Sequence, residues 1–92
     1  MDNKVLEAEK QFTLGNLEAC ETLVNNVIAV EDKNVEALML RAKLNYNRQK
    51  WGDALNDLNR ILEIDSNYEL AKNYKQIVLN ILNFWNKDNY NP

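Results

Sequence analysis

Few side chains in this chain of 92 residues could take part in catalysis. Two pairs of nearby carboxylates, Glu7 with Glu9 and Asp53 with Asp57, are of the residue type used for general acid–base catalysis. Both pairs lie in strongly helical segments, where solvated charges are ordinary, so we interpret them as surface charges. The chain has no histidine, and its two glycines are too few for a phosphate-binding loop. The composition therefore predicts a protein that is not an enzyme.

Cys20 is the single cysteine and the one candidate nucleophile of its type. A catalytic thiol needs a neighbouring base, and the sequence offers no plausible one. Free cysteine is more commonly a small buried side chain, and we predict that role for Cys20. The acidic residues are scattered and form no metal-ligand pattern, so we expect neither a metal nor another cofactor.

Composition and charge narrow the class of protein. Apolar residues make up 46% of a chain with two glycines and one proline, which favours a single helix-rich domain. The net charge of -3 comes from interspersed acids and bases, so we expect no nucleic-acid partner. The longest uncharged stretch, residues 76–86, is too short to insert across a membrane. A lone cysteine and a start without signal-peptide features predict an intracellular, cytoplasmic location.

An internal repeat organises the chain, and it appears when the sequence is compared with itself at an offset of 34 positions. Side chains related by this offset agree in hydrophobic class and in size, which are the properties that helix packing selects. The clearest pairs are Val5 with Met39, Ala8 with Ala42, Phe12 with Tyr46, Leu17 with Trp51, Cys20 with Ala54, Val24 with Leu58 and Val27 with Ile61. Within each unit the apolar residues recur every three or four positions, which indicates helices. We predict helices near residues 2–14, 17–31, 35–48 and 51–64.

Turn and cap residues mark the predicted helix ends. Gly15 and Asn16 offer a turn and a helix cap, and Asn34 can cap the third helix. Ser66, followed by Glu69 three residues later, has the spacing of a capping box and predicts the start of a fifth helix. That helix would run to about residue 86 and reach about 30 Å, against about 20 Å for the others.

Residues 35–68 resemble the tetratricopeptide repeat (TPR) family, whose unit is an antiparallel pair of helices. The resemblance rests on a small residue in the first helix, Ala42, an aromatic that opens the second, Trp51, and a small residue where the helices cross, Ala54. Leu58 and Ile61 match the packing positions that follow. Residues 1–34 form a more divergent copy, and the match fades after Ala71.

The resemblance implies an all-α fold. It would be a right-handed solenoid of helical hairpins within one domain, residues 1–92. Two repeats, residues 1–34 and 35–68, would be followed by a capping helix, residues 69–87, and a short tail, residues 88–92.

In the TPR family the first helix of each pair faces a hollow that receives peptide segments. The resemblance therefore implies a protein or peptide partner and a role as an interaction scaffold or adaptor. The family's groove positions fall on Val5, Glu9, Phe12, Met39, Lys43, Tyr46, Asn47, Asn73 and Ile77, with Asp2, Thr13, Glu36, Leu70 and Asn80 beside them. A second interpretation holds that Val5, Phe12, Met39 and Tyr46 merely pack between helices.

The closing helix carries more apolar residues than a cap requires. One interpretation is that its apolar stripe completes the core. The other is that Ile81, Leu82, Phe84 and Trp85 form an exposed patch that docks a second copy or another protein. The alternative function is therefore an oligomerising or assembly subunit, a homodimer through this helix being one form of it.

Overall fold

The fold is given by a computed structural model, which describes the backbone of residues 3–89 and the side chains of residues 3–84. Within that range the chain forms five helices and no strand. The helices are α1 (Asn3–Thr13), α2 (Leu17–Val30), α3 (Val35–Asn47), α4 (Trp51–Ile64) and α5 (Glu69–Asn89). The predicted all-α class with five helices is confirmed.

The helix boundaries repeat with the offset found in the sequence. Helix α4 begins and ends 34 positions after α2 does. In the same way, α3 ends 34 positions after the end of α1, and α5 begins 34 positions after the start of α3. The connecting segments repeat as well, because each of the seven backbone hydrogen bonds at the ends of α1 and α2 has a counterpart at the same offset. The repeat is therefore a feature of the backbone as well as of the sequence.

The turns after α1 and α3 share one geometry. Gly15 and Gln49, which the offset relates, both have a positive φ, 83° and 61° respectively. Beside Gly15, the Asn16 N–H donates to the Gln11 carbonyl at 2.8 Å and the Gly15 N–H donates to the Phe12 carbonyl at 3.0 Å. The turn at Gln49 contains the equivalent two hydrogen bonds. This pattern is the Schellman motif, which favours glycine at the left-handed position because other residues are strained there.

Three predicted caps have different outcomes. The Asn34 side chain accepts a hydrogen bond from the Ala37 N–H at 3.0 Å, so that cap is confirmed. Asn16 precedes α2, but its side chain makes no capping bond and instead donates to Gln11. The capping box at Ser66 is wrong, because α5 begins three residues later, at Glu69. The turn before α5 is held by the Asp65 side chain, which accepts from the Asn67 N–H at 3.0 Å.

Side-chain burial follows the same period. Several pairs of residues that the offset relates are each at most 3% exposed: Val5 with Met39, Ala8 with Ala42, Cys20 with Ala54, Val24 with Leu58, Val27 with Ile61, Ala37 with Ala71, and Leu44 with Val78. The prediction that Cys20 is a small buried side chain is confirmed, since it has no exposed surface. The alanines and the cysteine among these residues are small, so they let helices approach closely.

Each helix packs against the next one in the chain, and α1 also contacts α3. The buried side chains form two clusters, one centred on α1 and α2 and the other on α4 and α5. Helix α3 contributes to both, because Ala37 and Leu40 belong to the first cluster while Leu38 and Ala42 belong to the second. The central helix therefore joins the two clusters of buried side chains.

Relief of the strain at Gln49 should stabilise the fold. We expect Gln49→Gly to raise the free energy of unfolding by about 0.5–1 kcal/mol, because the strain relieved exceeds the added flexibility of the unfolded chain. Gly15→Ala, the matched change at the equivalent turn, should lower it by about 1 kcal/mol. Urea denaturation measures both. A loss of stability on Gln49→Gly would show that its backbone conformation is not strained.

Candidate functional site

Side chains from α1, α3 and α5 meet on one side of the molecule, which we call the α1–α3–α5 face. A cavity of about 200 Å³ on this face, the charged cavity, draws on all three helices and on the residue just before α5. Its lining residues are Glu9, Glu36, Met39, Leu40, Lys43, Tyr68 and Leu70. Glu9, Met39 and Lys43 belong to the predicted groove set. Glu36 and Leu70 are among the residues predicted to lie beside it. Leu40 and Tyr68 were not predicted.

The carboxylates of the charged cavity have no ion-pair partner among the described side chains. Among the described side chains, no ion pair or hydrogen bond reaches the carboxylates of Glu9 and Glu36 or the ammonium of Lys43. Other acids in the chain are paired, as Asp57 is with Arg41 and Glu21 is with Arg48. Two acids and one base therefore line the cavity, beside an apolar wall that includes Leu70.

The pKa of Tyr68 reports the electrostatic potential of this cavity. Burial is the largest cause that raises the pKa of its hydroxyl above the ordinary value. The neighbouring carboxylates of Glu36, Asp65 and Glu9 raise that pKa further, because a negative potential disfavours the phenolate. With two carboxylates against the one ammonium of Lys43, the lining has an excess of negative charge, which suits positively charged groups.

A second cavity, the apolar cavity, lies further along α5. It has a volume of about 370 Å³ and is lined by Ile77, Asn80, Ile81 and Phe84. It joins one residue of the predicted groove, Ile77, to two residues of the predicted second interface, Ile81 and Phe84. The two surfaces that we predicted separately therefore meet on this part of α5. None of the four lining residues carries a formal charge.

The remaining predicted site residues have varied positions. Val5 and Met39 are 2% and 3% exposed, so they offer almost no surface to a partner. Phe12 is half-buried against the first core cluster. The half-buried Tyr46 packs edge-on against the rings of Trp51 and Tyr74, with centroids 5.4 Å and 5.2 Å away. These four residues therefore pack between helices, and Met39 also lines the charged cavity.

Two amides and two apolar residues complete the predicted set. Asn47 and Asn73 are exposed but line neither the charged cavity nor the apolar cavity. Leu82 is half-buried and packs against the second core cluster, so it is turned away from the apolar cavity. Trp85 lies outside the described side chains.

A third cavity, of about 310 Å³, lies between α2 and α4 over α3 and is polar. Within it, Arg41 donates to both carboxylate oxygens of Asp57, at 3.0 Å and 2.8 Å, and to the Asn25 side chain at 3.1 Å. Asn45 also donates to Asp57, at 3.2 Å. Asp57 is 6% exposed, so our interpretation of it as a solvated charge is wrong. The hydrogen bonds to Asp57 raise the pKa of Arg41. The charges of Arg41 and Asp57 at its centre pair with each other. We therefore interpret this group of hydrogen bonds as a clamp that joins α2, α3 and α4.

The described side chains form no cluster of potential metal ligands. No three potential ligands among histidine, cysteine, aspartate and glutamate come together in residues 3–84. Burial is the main cause that raises the pKa of the Cys20 thiol, and a raised pKa lowers its reactivity because the thiolate is the nucleophile. Among the helices of residues 3–89, none is sufficiently long and hydrophobic to cross a bilayer.

We compared the chain with known proteins and found no relative. A scan of protein-family models and searches of curated proteins and of solved structures find no significant match to the chain. The contacts and charges of the chain itself therefore carry the functional argument.

The electrostatic origin of the Tyr68 shift can be tested by replacing the two carboxylates. We expect Glu9→Gln with Glu36→Gln to lower the pKa of Tyr68 towards, but not to, its ordinary value, because burial remains. An NMR titration with carbon-13-labelled tyrosine measures this. Glu18→Gln, in the first turn of α2 and outside the cavity, should leave that pKa unchanged.

The same shift gives a pH dependence of stability. Above pH about 10, Tyr68 ionises first in the unfolded chain, so its contribution lowers the free energy of unfolding as the pH rises. The fall should be smaller in the double variant. An unchanged Tyr68 pKa in that variant would contradict the negative potential assigned to the charged cavity.

Proposed function

We propose that the chain is a non-catalytic protein-interaction scaffold of the TPR type, a right-handed solenoid of two helical hairpins closed by α5. The main support is the common period of 34 positions in sequence, helix boundaries and burial. Within the same proposal the function is to bind a peptide segment or a partner protein on the α1–α3–α5 face. The buried free Cys20 supports a place inside the cell, where thiols stay reduced.

The residues of α5 support its assignment as the end of the array. Met39 and Ala42 of α3 are buried, whereas the residues 34 positions later, Asn73 and Gln76, are exposed and polar. The Gln76 side chain donates to the Asn80 side chain at 3.1 Å, so part of this surface is satisfied without another helix. A polar outer side is what a terminal repeat needs.

One observation carries the binding function, namely the charged cavity. It crosses three helices that are far apart in the chain, has an apolar wall, and contains charges without partners among the described residues. Concave sites with an apolar lining and a few convergent polar groups are the usual form of a binding site. Its volume of about 200 Å³ is below the roughly 300–1,000 Å³ of small-molecule pockets, which favours a protein or peptide segment that also covers the surrounding face.

Selection of peptides tests this function. A phage library of random twelve-residue peptides is panned on the immobilised protein, and the affinities of the selected peptides are measured by fluorescence anisotropy. Leu70→Ser removes an exposed apolar side chain of the cavity and should weaken binding about tenfold. Val30→Ser, which alters an 84% exposed side chain at the end of α2, is the matched control and should have no effect.

Two results would contradict the binding function at this face. The first is that panning selects no peptide. The second is that every selected peptide binds the Leu70→Ser and Val30→Ser variants equally well.

A second candidate function is self-association through α5, as an oligomerising or assembly subunit. The observation that favours it is the apolar cavity, where Ile77 and Phe84 are 44% and 62% exposed. Because the described residues of its lining carry no charge, two copies could bring these side chains together without local repulsion between like charges.

Sedimentation velocity separates this candidate from the first. Self-association predicts a dimer that Ile77→Glu converts to a monomer. Val30→Glu should leave the dimer unchanged, because Ile77 lines the apolar cavity and Val30 does not. A wild-type protein that stays monomeric to about 1 mM, a concentration at which even weak association is visible, would exclude it.

A further inference from the structure

The charged and apolar cavities lie along one stripe of α5. Leu70, Ile77 and Phe84 follow one another at intervals of seven positions, nearly two full helical turns, so their side chains leave the same side of the helix. All three are exposed, by 38%, 44% and 62% respectively. Leu70 lines the charged cavity, whereas Ile77 and Phe84 line the apolar cavity. At 1.5 Å per residue, about 10 Å separates Leu70 from Ile77 along the helix.

The two ends of this stripe differ in charge. At the Leu70 end, Glu9 and Glu36 outnumber the single Lys43, and the effect of Asp65 on Tyr68 adds to the negative potential. Among the described residues that line the apolar cavity, none is charged. A single segment that occupies both cavities therefore meets carboxylates at one end and apolar side chains at the other.

We propose that the α1–α3–α5 face binds a basic–apolar peptide segment, with lysine or arginine side chains at Glu9 and Glu36 and large apolar side chains at Ile77 and Phe84. This inference rests on the proposed binding function and specifies the partner's chemistry. In an extended segment each residue advances about 3.3 Å, so apolar side chains at Ile77 and Phe84 should be about three and about six residues from the basic ones. Arginine suits the charged cavity because its guanidinium can contact carboxylates with several donors.

Charge complementarity favours such a partner over a second copy of this chain. A second copy placed on the apolar cavity alone would cover Ile77 and Phe84 but leave the carboxylates of Glu9 and Glu36 without a counter-charge. The chain also has a net charge of -3, so copies repel one another overall. A basic partner is attracted by both the cavity and the net charge.

The test uses three sets of synthetic ten-residue peptides labelled with fluorescein. Each set has a pair of leucines four residues from a pair of arginines, serines or glutamates, in both chain directions, in a background of alanine and serine. Anisotropy at low salt gives the affinities. We expect the arginine set to bind about tenfold more tightly than the glutamate set, because attraction replaces repulsion at two carboxylates.

Variants then assign the preference to each cavity. Glu9→Gln with Glu36→Gln should reduce the ratio of arginine to glutamate affinities to about threefold or less, whereas Glu18→Gln should preserve it. Ile77→Ser should weaken all leucine-containing sets to a similar extent and leave the ratio unchanged. Circular dichroism spectra confirm that each variant keeps its helices.

The outcomes separate this inference from the function on which it rests. If the serine or glutamate set binds as tightly as the arginine set, and Leu70→Ser abolishes that binding, the face is a binding site but the basic preference is wrong. If no set binds and panning selects no peptide, both proposals fail. A wild-type dimer that Ile77→Ser converts to a monomer would overturn the assignment of the apolar cavity to a basic–apolar segment.

Discussion

Close approach of helices at small buried side chains is the constraint on which the rest of the structure depends. Six such residues have no exposed surface and form three pairs that the repeat offset relates: Ala8 with Ala42, Cys20 with Ala54, and Ala37 with Ala71. A larger side chain at such a position would overpack the contact and cost about 1–3 kcal/mol. The contacts recur at one interval, from Ala8 in α1 to Ala42 in α3 and from Ala37 in α3 to Ala71 in α5. The α1–α3–α5 face is a consequence of that regularity.

Helix α3 shows how one element serves both packing and the candidate site. Arg41 and Lys43 are two positions apart and so leave α3 on opposite sides. Arg41 joins Asp57 of α4 and Asn25 of α2, which fixes the rotation of α3 between its neighbours. Lys43 consequently lines the charged cavity on the other side. Asp57 is nearly buried while Arg41 is partly exposed, so loss of Arg41 would leave a buried carboxylate without its ion-pair partner, and the clamp favours one arrangement of the helices.

The sequence was sufficient for those features that depend on period and side-chain size. The repeat offset predicted the helix boundaries to within a few residues and matched the pairs that prove equally buried, such as Cys20 with Ala54. It could not reveal the bond between Arg41 and Asp57, because a contact between distant parts of the chain depends on how each helix is rotated. The Ser66 capping box failed because the Asp65 side chain supplies a competing turn, and only the structure brings Tyr68 into the charged cavity.

The groove positions that we transferred from a family pattern depend on the arrangement of the backbone. Whether a residue at such a position is buried or accessible depends on its own side chain. Val5 occupies one of these positions yet is buried in the core, whereas Glu9 and Lys43 remain accessible and line the charged cavity. On α5 the same positions continue into an apolar surface at Ile77. The face therefore changes from charged to apolar along its length, which is a chemical asymmetry that a repeat pattern alone does not specify.

The most direct test of binding at the α1–α3–α5 face is a titration of nitrogen-15-labelled protein with the arginine–leucine peptides, followed by amide NMR spectra. Binding at this face predicts shift changes concentrated at Glu9, Glu36, Lys43, Leu70 and Ile77, whose side chains line the two cavities. Changes concentrated instead at the exposed Glu18 of α2 and Glu63 of α4, or no changes at millimolar peptide, would contradict it.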